Sequence, residues 1–185
     1  MFFWFSTNTN IGKSPLFPKY ETFADFLSNT IIGKRKHTIS EFFYRTQHIQ
    51  QLGGYQIYPA GYYADDASIL LFCNNNGIAS TEESLIVYRK SENNISSSSC
   101  WNVEKSKAAL KYYQWIIDEF PMKQQDEQII QQRLDFDLYT YFSAALNIHQ
   151  SIQILNCIPV NIWNWKKKLL CLYKFILNSY AKQIK

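Results

Sequence analysis

Two adjacent carboxylates, Asp65 and Asp66, are the residues of this sequence whose type and spacing point most directly to chemistry. They open a segment from Asp65 to Asn76 that reads as a helix closed by Gly77. A carboxylate is ionised at neutral pH and can take a proton from an attacking hydroxyl group, so the pair could supply a general base. Aspartate is also preferred at helix starts, and a cap is the commoner role of such a pair taken alone.

Glycine and arginine residues precede this pair. Gly53 and Gly54 predict a tight turn and would allow a ligand to approach the backbone closely, although a turn alone is the more common role. Arg45 could contact a substrate or form a structural ion pair with Glu41, and the residue types favour neither. His37, His48 and His149 are scattered through the chain, which favours surface or capping roles over metal binding.

The segment from Thr38 to Ser98 also carries a family resemblance in the order of its motifs. The motifs are Phe43 with Arg45, the turn Gly53-Gly54-Tyr55, the pair Asp65-Asp66, the dipeptide Gly77-Ile78, and a segment with Glu83, Leu85, Tyr88 and Arg89. In this order they resemble the second half of the family 2 glycosyltransferases of GT-A fold. A resemblance of this kind is an analogy of motifs, and the site chemistry has to be argued separately.

The resemblance implies an inverting transfer of a sugar from a nucleotide-sugar donor to a glycan or lipid-linked acceptor, in the synthesis of cell-surface polysaccharides. Asp66 would be the catalytic base, and Asp65 would orient it or bind an acceptor hydroxyl. The implied substrate-binding residues are Gly53, Gly54, Arg45 and Arg89, with Arg89 contacting the diphosphate leaving group. The full-length enzyme would use Mg²⁺ or Mn²⁺, but this chain has no metal ligands of its own.

The fold class expected from the resemblance is α/β. Residues 1–98 would form the C-terminal half of a GT-A glycosyltransferase domain, and residues 99–185 would form a helical extension. The nucleotide-binding half would lie upstream of Phe2, so the chain is expected to be a truncated enzyme that is inactive alone. Within the first part, short strands are expected at Phe2–Ser6, Thr38–Arg45 and Leu85–Arg89, and short helices at Glu21–Ile32 and Gln47–Leu52.

The second part of the chain shows three apolar stripes at helical spacing, each of which needs a partner surface. Asn102 is the expected cap of the first helix, and Pro121 its end. The stripes are Ala109, Tyr112, Ile116 and Phe120; Ile130, Leu134, Leu138, Tyr141 and Ala145; and Ile162, Trp165, Leu169, Tyr173 and Ile176.

The distribution of charge and the cysteine content bear on membrane contact and on cellular location. Residues 161–185 contain six lysines and no acid, whereas the preceding residues contain 13 basic and 15 acidic side chains. The third stripe is therefore a basic amphipathic helix that could contact an anionic membrane through residues 162–185, with a solvated helix face as the alternative. Four unpaired cysteines and the absence of an apolar run of membrane-spanning length favour a cytoplasmic location or the inner face of the plasma membrane.

A second function remains open on these observations. A non-enzymatic helical module could bind a protein or a membrane surface through its basic tail. Nucleic-acid binding is disfavoured because the basic residues are concentrated in one helix and no reader motif is present.

Overall fold

The computed structural model describes residues 3–5, 11–13, 17–35, 42–74, 76–80, 87–89 and 97–183, with side chains described at 17–35, 42–74, 76–80 and 97–177. The chain divides into two compact units. The first comprises residues 1–57 and 63–97, and the second comprises residues 58–62 and 98–185.

The first unit combines short strands with short helices. Its strands are β1 (Phe3–Phe5), β2 (Ile11–Lys13), β3 (Tyr20–Glu21), β4 (Ile78–Ala79) and β5 (Val87–Arg89), and its helices are α1 (Phe23–Ile31), α2 (Thr46–Gln51) and α3 (Ala64–Cys73). Three strands form a sheet in the order β2-β1-β5, in which β1 is antiparallel to β2 and parallel to β5. Strands β3 and β4 form a separate antiparallel pair.

The second unit is helical throughout its described residues. Its helices are α4 (Asn102–Glu119), α5 (Gln124–Ser143), α6 (Ile148–Cys157) and α7 (Trp165–Gln183). The segment 58–62 also belongs to this unit and contains the short 3₁₀ turn Pro59–Gly61. Its Tyr58 ring lies 6.3 Å from that of Tyr112 on α4, and its Tyr62 ring lies 5.9 Å from that of Tyr141 on α5.

The predicted α/β fold class, a partial GT-A domain, is wrong. Helices dominate the described residues, and each described strand has only two or three residues. A GT-A-like sheet needs several longer parallel strands with helices on both faces, because parallel strands are stable only when both faces are covered. Here one parallel pair, β1 with β5, is present in the described part of the chain.

The local predictions in the first unit were more successful than the fold class. Helices α1, α2 and α3 lie where helices were expected, and β1 and β5 lie within expected strands. The expected strand at Thr38–Arg45 falls partly outside the described residues, and residues 42–45 form no strand.

A buried ion pair and a glycine fix the first unit around α1 and β3. The Arg35 guanidinium lies 2.7 Å from the Glu21 carboxylate and 3.6 Å from the centre of the Phe17 ring. Gly77 has a φ of 68°, and a Cβ atom there would lie 2.3 Å from the backbone oxygen of Glu21. A side chain at this position would therefore be strained and would also displace β3, which pairs with the following strand β4.

The core of the second unit is formed by α4 and α5. The first two predicted stripes are buried there, apart from Ala145, which follows the end of α5 and is half-buried. Asn102 is not the cap that the sequence suggested: it is the first residue of α4, and its side-chain amide donates to the backbone oxygens of Tyr141 and Ala144. Because the start of α4 meets the end of α5, the two helices are antiparallel.

Polar contacts hold α7 against the neighbouring helices. The indole N–H of the fully buried Trp163 and the ammonium of Lys167 both donate to the carboxylate of Asp135 on α5. The Lys168 ammonium donates to the backbone oxygens of Leu155 and Ile158 at the end of α6. A cation at these orphan carbonyls also opposes the negative end of the helix dipole.

Candidate functional site

The predicted catalytic acids lie in the first turn of α3. Asp65 and Asp66 are half-buried, and a carboxylate oxygen of Asp65 accepts a hydrogen bond of 3.1 Å from the backbone N–H of Asp66. The residue before the helix, Tyr63, has a φ of 64° and provides no side-chain cap. Both acids therefore lie inside the first turn, where a negative charge is favoured by the positive end of the helix dipole, and neither is the N-cap residue.

The glycine pair adopts the conformation that only glycine accepts readily. Gly53 and Gly54 have φ values of 81° and 86°, and a Cβ atom at either position would meet nothing within 4 Å. Backbone conformation therefore accounts for both glycines. The open space beside them is compatible with a ligand but does not require one.

Arg45 lines a cavity of about 570 Å³ in the first unit. The cavity lies between the start of α2, the end of α3 and strand β4. Gly77 also lines it, whereas Asp65 and Asp66 are not among its lining residues. The structure thus places one predicted substrate-binding residue at a cavity and does not bring the predicted catalytic pair to that cavity.

One wall of this cavity is aromatic. The rings of Phe42 and Tyr44 are stacked at 6.0 Å, and the Phe72 ring meets Tyr44 edge-on at 5.0 Å. The Tyr44 hydroxyl is buried, and its pKa is raised far above the usual value, first by burial and then by the neighbouring Cys73, Tyr55 and Asp65. Tyr44 therefore stays neutral throughout the physiological pH range.

His48 and Cys73 complete the polar part of the lining. The Nε2 atom of His48 lies 2.9 Å from the backbone oxygen of Phe72, and because a carbonyl can only accept, Nε2 carries the proton. Burial raises the pKa of the Cys73 thiol to about 12, although the charge of Arg35 opposes this shift. A thiol that stays protonated at neutral pH is a poor nucleophile, so the cavity is suited to binding rather than to thiol chemistry.

The remaining predicted substrate-binding residue is Arg89. Arg89 ends β5, and its side chain lies outside the described residues. In the part of the chain that the structure describes, no three His, Cys, Asp or Glu side chains form a group that could hold a metal ion. The Mg²⁺ or Mn²⁺ of the full-length enzyme was expected at ligands upstream of Phe2, and the described residues do not test that expectation.

The third apolar stripe differs from the other two because most of it is exposed. Six large apolar side chains of α7 have exposed fractions between 38% and 61%, and they are Trp165, Leu169, Leu170, Tyr173, Ile176 and Leu177. At about 100° per residue they occupy an arc of about 140° on the helix. We call this arc the α7 apolar face. The other side of α7, with Cys171 and Phe175, packs against the unit.

The lysine run beside this face divides into two roles. Lys167 and Lys168 are half-buried and hold α7 to α5 and α6. Lys166 and Lys174 are exposed, and the ammonium of Lys166 lies 5.7 Å from the centre of the Trp165 ring. The sequence alone provides no reason to separate the three consecutive lysines. Their contacts in the folded chain distinguish the exposed Lys166 from Lys167 and Lys168.

The second unit has long helices, but none in the described part of the chain combines the length and apolar character needed to cross a bilayer.

The cavity was not predicted from the sequence. The helix α7 was predicted, but not that the apolar side of this helix is exposed. The stacked Phe42 and Tyr44 lie in a segment that was expected to be a strand, and His48 showed no motif. Helical periodicity locates apolar residues on one side of a helix but does not reveal whether another element covers them.

Comparison with known protein families, with curated proteins and with solved structures finds no match to this chain.

Proposed function

We propose that this protein binds an anionic lipid surface through the α7 apolar face. The observation that carries the proposal is the exposure of six large apolar side chains on one side of a helix that contains no acid between residues 165 and 177. Monomeric globular proteins rarely leave a contiguous apolar patch of this kind uncovered unless it is used for binding.

The residue types of the face favour a lipid surface over a protein partner. Trp165 and Tyr173 combine an apolar ring with a polar atom, and such side chains prefer the boundary between headgroups and acyl chains. The four aliphatic members would enter the acyl region, where burial of apolar area contributes roughly 25 cal/mol per Å². This is the arrangement of helices that lie in the plane of a membrane interface.

Charge supports the same partner. Lys166 and Lys174 are exposed on α7, and a basic residue near an anionic membrane contributes about 1 kcal/mol. Lys167 and Lys168 are occupied by contacts inside the unit, so two lysines of the described surface of α7 are oriented to contribute. We therefore expect binding that depends mainly on apolar burial and moderately on salt.

Flotation of the full-length chain with vesicles tests the proposal. Binding to phosphatidylcholine vesicles should increase when phosphatidylglycerol is included, and Leu169→Gln combined with Ile176→Gln should reduce binding at least tenfold. Lys166→Gln combined with Lys174→Gln should remove the preference for the anionic lipid and most of the salt dependence.

The matched control replaces two apolar residues that are exposed elsewhere, Ile57→Gln and Ile148→Gln. This variant should bind vesicles like the parent chain. Equal binding by the α7 variant and the parent would refute the proposal, as would concentration-dependent dimerisation that is lost in the α7 variant while vesicle binding is absent.

Sugar transfer stays a prediction. The resemblance of the Thr38–Ser98 motifs suggested it, but the fold that would hold a nucleotide sugar is not the fold observed. Asp66 as the base remains untested, and Asp66→Asn in a full-length relative would test it, because the substitution should abolish transfer with binding retained. No geometric observation favours this function over lipid binding.

A further inference from the structure

The cavity of the first unit is large enough to hold a small molecule. Its volume of about 570 Å³ lies within the range of roughly 300–1,000 Å³ typical of small-molecule sites. All of its described lining residues belong to the first unit, and none of them lies on α7.

The charged residue in the cavity lining favours a negatively charged ligand. The described lining residues include the cation Arg45 and the polar side chains of Gln47, His48 and Gln51, and no aspartate or glutamate is among these described residues. The Arg45 side chain is exposed, so its guanidinium can reorient toward a ligand, and a guanidinium binds carboxylate or phosphate oxygens with two parallel hydrogen bonds.

The aromatic wall selects the shape of the ligand. The stacked Phe42 and Tyr44 rings and the edge of Phe72 offer flat apolar surface on the side of the cavity contributed by residues 42–44 and α3. Aromatic side chains prefer offset-stacked or edge-on contacts with other rings. A flat aromatic body satisfies this wall better than a flexible aliphatic chain does.

We propose that this cavity binds a planar aromatic anion, with Arg45 holding its carboxylate or phosphate group and the Phe42–Tyr44 wall holding its ring. The bond from the His48 Nε2–H to the Phe72 oxygen joins α2 to α3, the two helices that border the cavity.

Calorimetric titration of the full-length chain with 1-naphthoate, 1-naphthyl phosphate and the neutral 1-naphthamide tests the proposal. Either anion should bind at least tenfold more tightly than the amide. Arg45→Gln should weaken anion binding at least tenfold and leave amide binding unchanged. The stronger of the two anions identifies whether a carboxylate or a phosphate is the preferred group.

Two control variants distinguish binding in the cavity from binding elsewhere on the chain. Lys34→Gln removes an exposed cation of the same unit that does not line the cavity, and it should leave all three titrations unchanged. Leu169→Gln with Ile176→Gln should also leave them unchanged, because it alters only the α7 apolar face. Circular dichroism should show the same helix content in every variant.

Three results would overturn the proposal. They are equal affinity for the anions and the amide, unchanged anion binding in Arg45→Gln, and an equal loss of anion binding in Lys34→Gln. The failure of this proposal would leave the lipid-binding proposal intact, since the two rest on different units.

Discussion

Helices α5 and α7 both have a stripe of apolar residues, but the stripe of α5 is buried and that of α7 is exposed. Each has apolar residues at helical spacing, but Leu138 of α5 is fully buried whereas Leu169 of α7 is 56% exposed. The stripe of α5 meets the stripe of the antiparallel helix α4, whereas α7 packs through its other side, where Cys171 lies. A stripe at helical spacing thus identifies a surface that avoids water without identifying what covers it.

The polar contacts of α5 are also more deeply buried than those of α7. On α4 and α5, the Tyr113 hydroxyl donates to the buried Asp137 carboxylate at 2.6 Å, inside the helix pair. On α7, Lys167 and Lys168 make polar contacts at the margin of the unit, and both remain partly exposed. Helix α7 is therefore attached largely at its first turn and by a narrow packed side, which leaves its broad apolar side free for another surface.

The largest expected effect is a difference in unfolding free energy between two leucine-to-alanine substitutions, one on α5 and one on α7. Leu138→Ala should lower the free energy of unfolding by about 2–5 kcal/mol, because it leaves a cavity between packed helices. Leu169→Ala should change it by less than about 0.5 kcal/mol, because the side chain is already in water. Urea unfolding followed by circular dichroism measures both. Similar costs for the two variants would show that the α7 apolar face is covered in solution.

A smaller effect should follow from detaching α7. Asp135→Ala removes the acceptor of Trp163 and Lys167, and losing hydrogen bonds to a charged group costs about 1–3 kcal/mol. Cys171, buried on the packed side of α7, should then react faster with iodoacetamide, as measured by peptide mass spectrometry.

The matched control for this variant is Asp118→Ala, which removes an exposed acid of α4 that pairs with Gln114. It should leave the alkylation rate of Cys171 unchanged. If Asp135→Ala also left this rate unchanged, the attachment of α7 would depend on apolar packing rather than on the Asp135 contacts.

Alkaline pH should loosen the α4–α5 pair. Burial, followed by the Asp137 charge, raises the pKa of Tyr113 far above the unfolded value of 10.0, and burial raises the pKa of Tyr58 to about 12. Because the folded pKa values exceed the unfolded ones, this contribution to stability is complete below pH 10 and is lost as pH rises beyond it. The expected loss for Tyr113 is about 1.4 kcal/mol for each pH unit above 10.

Urea unfolding across this pH range measures the loss, and Tyr113→Phe should reduce its slope by removing one titrating group. The substitution also removes the bond to Asp137, so the variant should be less stable at neutral pH. A parent chain whose stability stayed constant above pH 10 would contradict the proposed cause.

Local patterns predicted much of the secondary structure but not the fold class. Apolar periodicity and the glycine and proline residues that end helices located α1 to α5, because these signals act within a few residues. The order of short motifs suggested a GT-A sheet, although motif order does not supply the long apolar strands that such a sheet requires. Asn102 shows the same limit at one residue: it is a typical cap, but tertiary contacts direct its amide to the end of α5.

The site was less predictable than the helices for a physical reason. The cavity depends on the segment with Tyr44 and Arg45 approaching Phe72 on α3, and no local pattern encodes that approach. The exposure of α7 depends on which side of the helix finds a partner. Both are properties of packing, whereas the acidic pair at 65 and 66 is visible in the sequence and lies in the first turn of α3, where the helix dipole favours acids.

The short segment 58–62 determines where a fragment of the second unit should begin. A fragment that starts at Ser98 would contain all four long helices, yet it would lack the Tyr58 and Tyr62 rings that lie against Tyr112 and Tyr141. Tyrosine surface normally covered by that segment would meet water, so such a fragment should be less stable than one that keeps residues 58–62. A useful excised version must begin at Tyr58 or carry these five residues back through an added linker.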